Sequence, residues 1–310
     1  MVSPRLITVQ GATASGKSGL ALALARAWDA EIIGADSMQV FAGMVVGTAA
    51  PAQAEMQSVP HHLVGCWQPD EEVSAARWSD AVDALIAERP EQRFIIVGGS
   101  NMWIRLWLQG LVGTPPADDA VRARLEQLDQ DELRSRLQAC DPLAAAKIHG
   151  NDRYRTVRAL AHFEQTGEPL GQAHQEHGWG KPRYSCLRVA LLPERPWLHR
   201  RIERRAEIMY AQGLVDEAVR LRERFGAIKP LSVLGYRDAL ALADGEIEAS
   251  EALHRTQRDT RRYAKSQETW IRKEAVEVLK TTADSNDRSS QLLAAEVLEM
   301  LAGSTPEPSG

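Results

Sequence analysis

The sequence predicts an α/β fold, a parallel sheet flanked by helices and interrupted by an inserted all-helical subdomain. Three observations predict it. Short apolar runs at 6–9, 31–33 and 94–97 alternate with helical spacing, the pattern of strand–helix–strand units. Helical periodicity then continues from Asp118 to about Gly178 with no convincing strand. Strand character resumes in 187–192, so the helical block interrupts an α/β unit.

Taken in order, Leu6-Ile7-Thr8-Val9 reads as a buried strand, followed by a glycine-punctuated loop from Gly11 to Gly16. Lys17 to Trp28 carries helical apolar spacing at Leu20, Leu24 and Ala25. Glu31-Ile32-Ile33 is a second short strand ending at Gly34-Ala35-Asp36. Arg77 to Ala87 reads as a helix with Ala81, Leu85 and Ile86 on one side. Phe94 to Val97 is a third buried strand, closed by Gly98-Gly99. The pattern changes at Gly113-Thr114-Pro115-Pro116. After the second α/β stretch come long helices over 197–211, 214–225 and 251–273, a polar linker over 281–290 and a short amphipathic helix over 291–301. The tail from Gly303 is expected to be disordered. The domains expected are therefore a core of 1–114 with 184–275, an insertion of 115–183, and a C-terminal linker, helix and tail over 276–310.

The 310 residues are 44% hydrophobic and 25% charged, which excludes fibrous and disordered classes for the bulk of the chain. No apolar run approaches the roughly 18 residues that span a bilayer. The N-terminal residues lack signal-peptide architecture. Cys66, Cys140 and Cys186 are few, odd in number and widely spaced, so neither a disulfide framework nor a zinc site is expected and the compartment expected is the cytoplasm. The net charge of −5 argues against whole-surface nucleic-acid binding, but a local cationic patch exists. His254, Arg258, Arg261 and Lys265 fall at i, i+4, i+7 and i+11 of a helix, flanked by Arg255 and Arg262. Such a stripe is either a solvated face or a surface that neutralises a diphosphate or RNA phosphates.

Gly11-Ala12-Thr13-Ala14-Ser15-Gly16-Lys17-Ser18 fits G-x-x-x-x-G-K-[ST] in full, between a strand and a helix. This makes the core P-loop NTPase-like. The glycines let backbone N–H groups converge on phosphate oxygens, and the helix N-terminus adds its positive end. Lys17 supplies a point charge and Ser18 a Mg²⁺ ligand. The motif specifies a di- or triphosphate, not a reaction. Asp36 ends the second strand at the carboxyl edge of the sheet, where ligands bind. It is a metal ligand, a general base or a helix N-cap. In P-loop kinases the strand corresponding to 94–97 usually ends in a Mg²⁺-holding Asp. Two glycines stand there, either for a tight turn or for a ligand passing close to backbone. His61-His62 has no partner at metal-ligand spacing and reads as structural or substrate-lining.

In this order, these residues resemble the tRNA dimethylallyltransferase (tRNA isopentenyltransferase) family. The resemblance runs from about residue 6 to 272 and is carried by 11–18, Asp36–Val40 (DSMQV), Pro60–Leu63 (PHHL), 97–100, 151–153 (NDR), 158–160, 198–202, 234–237 and 260–267. DSMQ followed by PHHL is its most specific part. Ala12, Phe41-Ala42, Ser100-Asn101-Met102-Trp103 and Ser266 depart from the family pattern.

The resemblance implies transfer of a dimethylallyl group from its diphosphate to N6 of the adenosine 3′-adjacent to the anticodon. The P-loop would then hold a leaving diphosphate, with Mg²⁺ as cofactor. Asp36 becomes the base that takes the amine proton, and Ser100 orients the amine or the base. Gly11, Thr13, Ala14, Ser15, Gly16, Lys17, Ser18, Arg201, Arg261 and Gln267 are the implied diphosphate contacts, and Ser18 the metal ligand. Asp36, Ser37, Met38, Gln39, Ser100, Arg122, Arg155, Arg158, Leu234, Gly235, Tyr236 and Arg237 are the implied tRNA contacts. The expected partners are the anticodon stem-loop of tRNA and dimethylallyl diphosphate, with no membrane and a monomeric chain. The rival readings are a P-loop small-molecule kinase, an adenylate isopentenyltransferase and a nonenzymatic RNA-binding protein.

Overall fold

The computed structural model describes residues 5–111, 117–177, 182–279 and 290–303. Its elements are β1 (Leu6–Gly11), α1 (Lys17–Trp28), β2 (Ala30–Gly34), α2 (Gln53–Ser58), β3 (His61–His62), α3 (Ala75–Glu88), β4 (Arg93–Gly98) and α4 (Asn101–Gln109). Five helices follow, α5 (Asp119–Leu125), α6 (Gln130–Cys140), α7 (Pro142–Lys147), α8 (Arg153–Thr166) and α9 (Leu170–His177). The chain then forms β5 (Cys186–Leu191), α10 (Arg195–Ala211), α11 (Leu214–Phe225), a 3₁₀ turn at Lys229–Ser232, α12 (Tyr236–Ala243), α13 (Ala249–Ile271), β6 (Glu277–Leu279) and α14 (Ser290–Gly303).

The six strands form one parallel sheet in the order β3-β2-β4-β1-β5-β6. All six residues of β1 are buried, as a central parallel strand requires. Ile7 and Val9 point to one face and pack with Leu20 and Leu24 of α1, Ile95, Val189, and Leu293 and Val297 of α14. Each fully buried aliphatic side chain of this cluster contributes roughly 1.5–3 kcal/mol. The carboxyl ends of β1, β2 and β4 lie on the same edge of the sheet and lead into the 11–18 loop, the turn after Asp36 and Gly99-Ser100.

The chain divides into two compact units, Met1–Leu106 with Tyr184–Gly310, and Trp107–Arg183. The helical unit therefore begins at Trp107, earlier than the 115 expected from the Gly-Pro break. Its two ends are tied together: Arg183 donates its N–H to the Leu108 carbonyl at 2.7 Å. Within it, Leu125, Leu133, Leu137, Val157 and Leu160 form a separate core. Four aspartates start four of its helices. Asp118, Asp129, Asp141 and Asp152 each accept from backbone N–H groups in the first turn, which satisfies donors that a helix start leaves orphaned.

Two expectations need correction. The stretch from 276 is not all linker, because Glu277–Leu279 adds a sixth strand beside β5. Nor does the C-terminal helix lie outside the core, where the expected boundary at 275 placed it. Leu293, Ala294, Val297 and Leu301 of α14 belong to the main core. The expected linker at 281–290 falls almost wholly outside the described residues, as does the tail beyond Gly303. Among the described residues, no helix is long and apolar enough to cross a membrane.

Candidate active site

Beyond β1 the loop 11–16 closes on itself, with Ser15 N–H donating to the Ala12 carbonyl at 3.2 Å. Ala14 and Gly16 take positive φ values of 62° and 96°, which aims successive N–H groups inward instead of continuing a strand. The first-turn N–H groups of α1 have no intrahelical acceptor. Ser15 Oγ is buried and has no hydrogen-bond partner among the described residues. An oxyanion seated here would meet these donors and the positive end of α1 together. Lys17 Nζ donates to the Ala12 carbonyl at 3.3 Å. Burial pushes its ammonium down to about 8, with Asp36 opposing and Arg205 reinforcing the shift.

Asp36 caps a turn and keeps one oxygen uncommitted, because its two oxygens are not equivalent. Oδ1 accepts from Met38 N–H at 2.9 Å and Gln39 N–H at 3.3 Å, capping the turn that follows. Among the described residues Oδ2 has no hydrogen-bond partner, so one carboxylate oxygen stays available. Ser100 holds the same turn. Its Oγ accepts from Ser37 N–H at 2.9 Å, and its own N–H donates to the Ala35 carbonyl at 3.1 Å.

The glycines ending β4 have a steric cause. A Cβ on Gly98 would collide with the Ala35 carbonyl, and one on Gly99 with the Gln267 amide. A strand-end Asp has no room there.

Thr13, Lys17, Asp36, Ser37 and Met38 line a cavity of about 260 Å³. Its other walls include Ile202, Arg205, Ala206 and Met209 of α10, the segment Val233–Tyr236, and Thr256, Thr260, Tyr263 and Gln267 of α13. Cationic and carboxylate groups thus share one chamber with an apolar wall. A smaller recess beside it is lined by Lys17, Ser18, Asp36, Gln39, Glu55 and His61, among others. His61 therefore lines the site. His62 lies within 2.6 Å of Glu31 and has a structural role.

Several predicted contacts have other duties. Gln267 is spent on backbone, accepting from Thr13 N–H at 2.9 Å and donating to the Gly99 carbonyl at 3.0 Å. It braces the phosphate loop against the end of β4 and also lines the cavity. Arg261 pairs with Glu203 at 2.9 Å and is not part of the cavity lining. Arg201 donates Nε–H to the Ala14 carbonyl at 2.9 Å and stacks over Trp197, so it stands at the loop. Of the 234–237 segment, Leu234, Gly235 and Tyr236 line the cavity. Tyr236 is buried, however, with its hydroxyl committed to Glu217. Arg237 pairs with Asp238 and Asp259 away from the cavity. Gln39 donates to the carbonyls of Thr48 and Ala49. Arg122 and Arg155 are exposed on the helical unit, paired at 2.8 Å with Asp119 and at 3.4 Å with Asp152, and Arg158 lies one turn beyond Arg155.

Arg205 and Tyr263 were missed by sequence reasoning. Arg205 lies one helical turn after Arg201, a spacing that puts both on one face. Its Nη2 donates to the Thr48 carbonyl at 3.3 Å, and its buried Nε has no partner among the described residues. Burial lowers its pKa while Asp36 opposes that shift. Tyr263 lies one turn before Gln267 and lines the cavity, where partial desolvation and the nearby Asp36 push its phenol up.

Among known proteins, residues 39–274 match the family model for IPP transferase. The tRNA dimethylallyltransferase of Geobacter metallireducens is 43% identical over 279 residues, covering 87% of this chain and 90% of that protein. A crystal structure of the tRNA isopentenylpyrophosphate transferase of Bacillus halodurans is 32% identical with a TM-score of 0.70, covering 96% of this chain and 97% of that one. A eukaryotic dimethylallyltransferase acting on tRNA, at 24% identity, shares the fold with a TM-score of 0.83 over 98% of this chain and 81% of its own.

Proposed function

The chain belongs to the IPP transferase family, and from that premise we infer that it is a tRNA-modifying transferase. It moves a dimethylallyl group from dimethylallyl diphosphate to N6 of the adenosine 3′-adjacent to the anticodon. One observation carries the chemistry. A phosphate loop, a carboxylate with one unoccupied oxygen and an apolar wall share a single cavity of about 260 Å³. That combination suits an anionic leaving group, an amine needing deprotonation and a five-carbon chain.

The diphosphate of the donor sits on the 11–18 loop, with Lys17, Arg201 and Arg205 around it. The ester oxygen between C1 and the α-phosphorus leaves with the diphosphate, carrying the electron pair of the allylic C1–O bond. The adenine amine forms the new N6–C1 bond and loses a proton to Asp36, because an aromatic exocyclic amine is too weak a nucleophile to retain it. The cations favour this step because charge on the leaving diphosphate grows along it. Ser100 and the 36–39 turn fix the direction of the carboxylate.

Mg²⁺ fits the recess beside the loop, where Ser18 offers a hard oxygen donor. Bound there with phosphate oxygens, it would supply further charge neutralisation. Among the described residues, no cluster of three or more His, Cys, Asp or Glu offers a complete metal cage. The cation would therefore arrive with the diphosphate, as Mg²⁺ commonly does.

The kinase alternative is disfavoured by the strand end, where backbone and the Gln267 amide fill the place of the usual Asp. Inorganic diphosphate should therefore compete with dimethylallyl diphosphate, and the protein should release no phosphate from ATP alone. Phosphate release at a turnover comparable with prenyl transfer would refute the assignment.

The helical unit is assigned to the RNA, which must present an unpaired, extruded base. Arg155 and Arg158 are three apart on α8 and share a face. Their double replacement by alanine should weaken tRNA binding and flatten its salt dependence, by about 0.7 in log–log slope for each single-strand phosphate no longer neutralised. Donor affinity should stay at the wild-type value. A salt slope identical to wild type would remove these arginines from the RNA surface.

A further inference from the structure

Glu217 sits on the buried face of α11, between Leu214 and Ala218, and is 3% exposed. A carboxylate on an apolar stripe is costly unless its oxygens are satisfied. Here four donors converge on it. Oε2 accepts from Val45 N–H at 3.0 Å and Val46 N–H at 2.8 Å. Oε1 accepts from Gly47 N–H at 2.9 Å and from the Tyr236 hydroxyl at 2.7 Å. Three consecutive backbone donors on one carboxylate form an anion nest occupied by a side chain. Tyr236 is 1% exposed, and burial with the carboxylate beside it pushes its pKa far up, so it donates at any working pH. Gly47 packs so closely that a Cβ would overlap the Tyr236 ring.

The clamped segment leads directly into the active site. The Thr48 carbonyl accepts from Gln39 at 3.0 Å and from Arg205 at 3.3 Å. Gln39 closes the turn that Asp36 caps, and Arg205 lies in the field of Asp36 and Lys17. Gly47 and Thr48 themselves line the cavity, as do Gly235 and Tyr236. Glu217 therefore holds two walls of the chamber at one point without touching its interior.

We propose that Glu217, with Tyr236 as its partner, is a positioning residue that fixes the 45–48 loop and so the geometry in which the acceptor base meets Asp36. The proposal rests on the functional reading above. A displacement of about 1 Å at such a distance can lower a rate about 10²-fold.

The test compares Glu217→Gln, Tyr236→Phe and the double variant in steady-state prenyl transfer, varying tRNA and dimethylallyl diphosphate separately. Glu217→Gln turns an acceptor into a donor facing N–H groups. It should lower kcat/KM for tRNA about 10–100-fold and raise KM for tRNA, with donor KM within about twofold of wild type. Tyr236→Phe should lower kcat/KM for tRNA by about 3–10-fold, less than Glu217→Gln, because one of four donors is removed. The double variant should be no worse than Glu217→Gln alone, since both act through one carboxylate. A variant with both KM values unchanged, or effects that multiply in the double variant, would overturn the proposal. If Glu217→Gln fails to fold, unchanged tRNA kinetics in Tyr236→Phe would do the same. Amide exchange separates the clamp from the reaction. In either single variant the N–H groups of 45–47 should exchange about 10-fold faster or more, even if the acceptor were not tRNA. Wild-type exchange there would contradict the clamp, whereas wild-type failure to prenylate tRNA would contradict only the function.

Discussion

Replacing Asp36 with asparagine should lower turnover roughly 10²–10⁴-fold while the protein folds and binds donor normally. Asparagine keeps the oxygen that caps the turn at Met38 and Gln39, since Asn caps as well as Asp. It loses the second oxygen as a proton acceptor. The substitution thus separates the two roles that the carboxylate combines. Single-turnover transfer with saturating tRNA is the measurement, because it reads chemistry without product release. Turnover within a few-fold of wild type would assign the proton to another group.

Lys17→Ala should have the second largest effect, about 10²–10³-fold in kcat/KM for the donor, the scale of losing one preorganised charge donor. Affinity for tRNA should change little. The same variant carries a pH signature. In the free protein Lys17 titrates at about 8 because burial disfavours its cation. Only the cation attracts a diphosphate, so donor kcat/KM should be flat below that pH and fall as pH rises through it. That alkaline limb should vanish in Lys17→Ala. A limb of unchanged position in the variant would show that another group titrates.

Much of the phosphate-loop side of the candidate site was legible because its signals are local. The 11–18 loop between strand and helix, Asp36 at a strand end and the paired glycines at 98–99 are each defined by a few adjacent residues. Long helices were legible for the same reason: α1 and α11 match their expected bounds. The short elements were not. β3 is two residues long and β6 three, so neither carries a periodic signal and only their neighbours make them strands. Pairing across the fold was also hidden. Nothing in the sequence joins Gln267 to Thr13 or Arg261 to Glu203, so these pairings come from the structure alone. Glu217 left one visible trace, an acid on the apolar stripe Leu214–Ala218–Leu221. Such a group demands buried donors, though their identity depends on tertiary structure.

The central claim is that this cavity joins a prenyl diphosphate to an adenine amine of tRNA. The direct measurement is incubation with labelled dimethylallyl diphosphate and, separately, unmodified tRNA, AMP or ATP, followed by digestion of the RNA to nucleosides. The account predicts label in tRNA alone, on N6 of the adenosine next to the anticodon, with one diphosphate released per prenyl group. Label on AMP, or phosphate released from ATP with tRNA unlabelled, would contradict it.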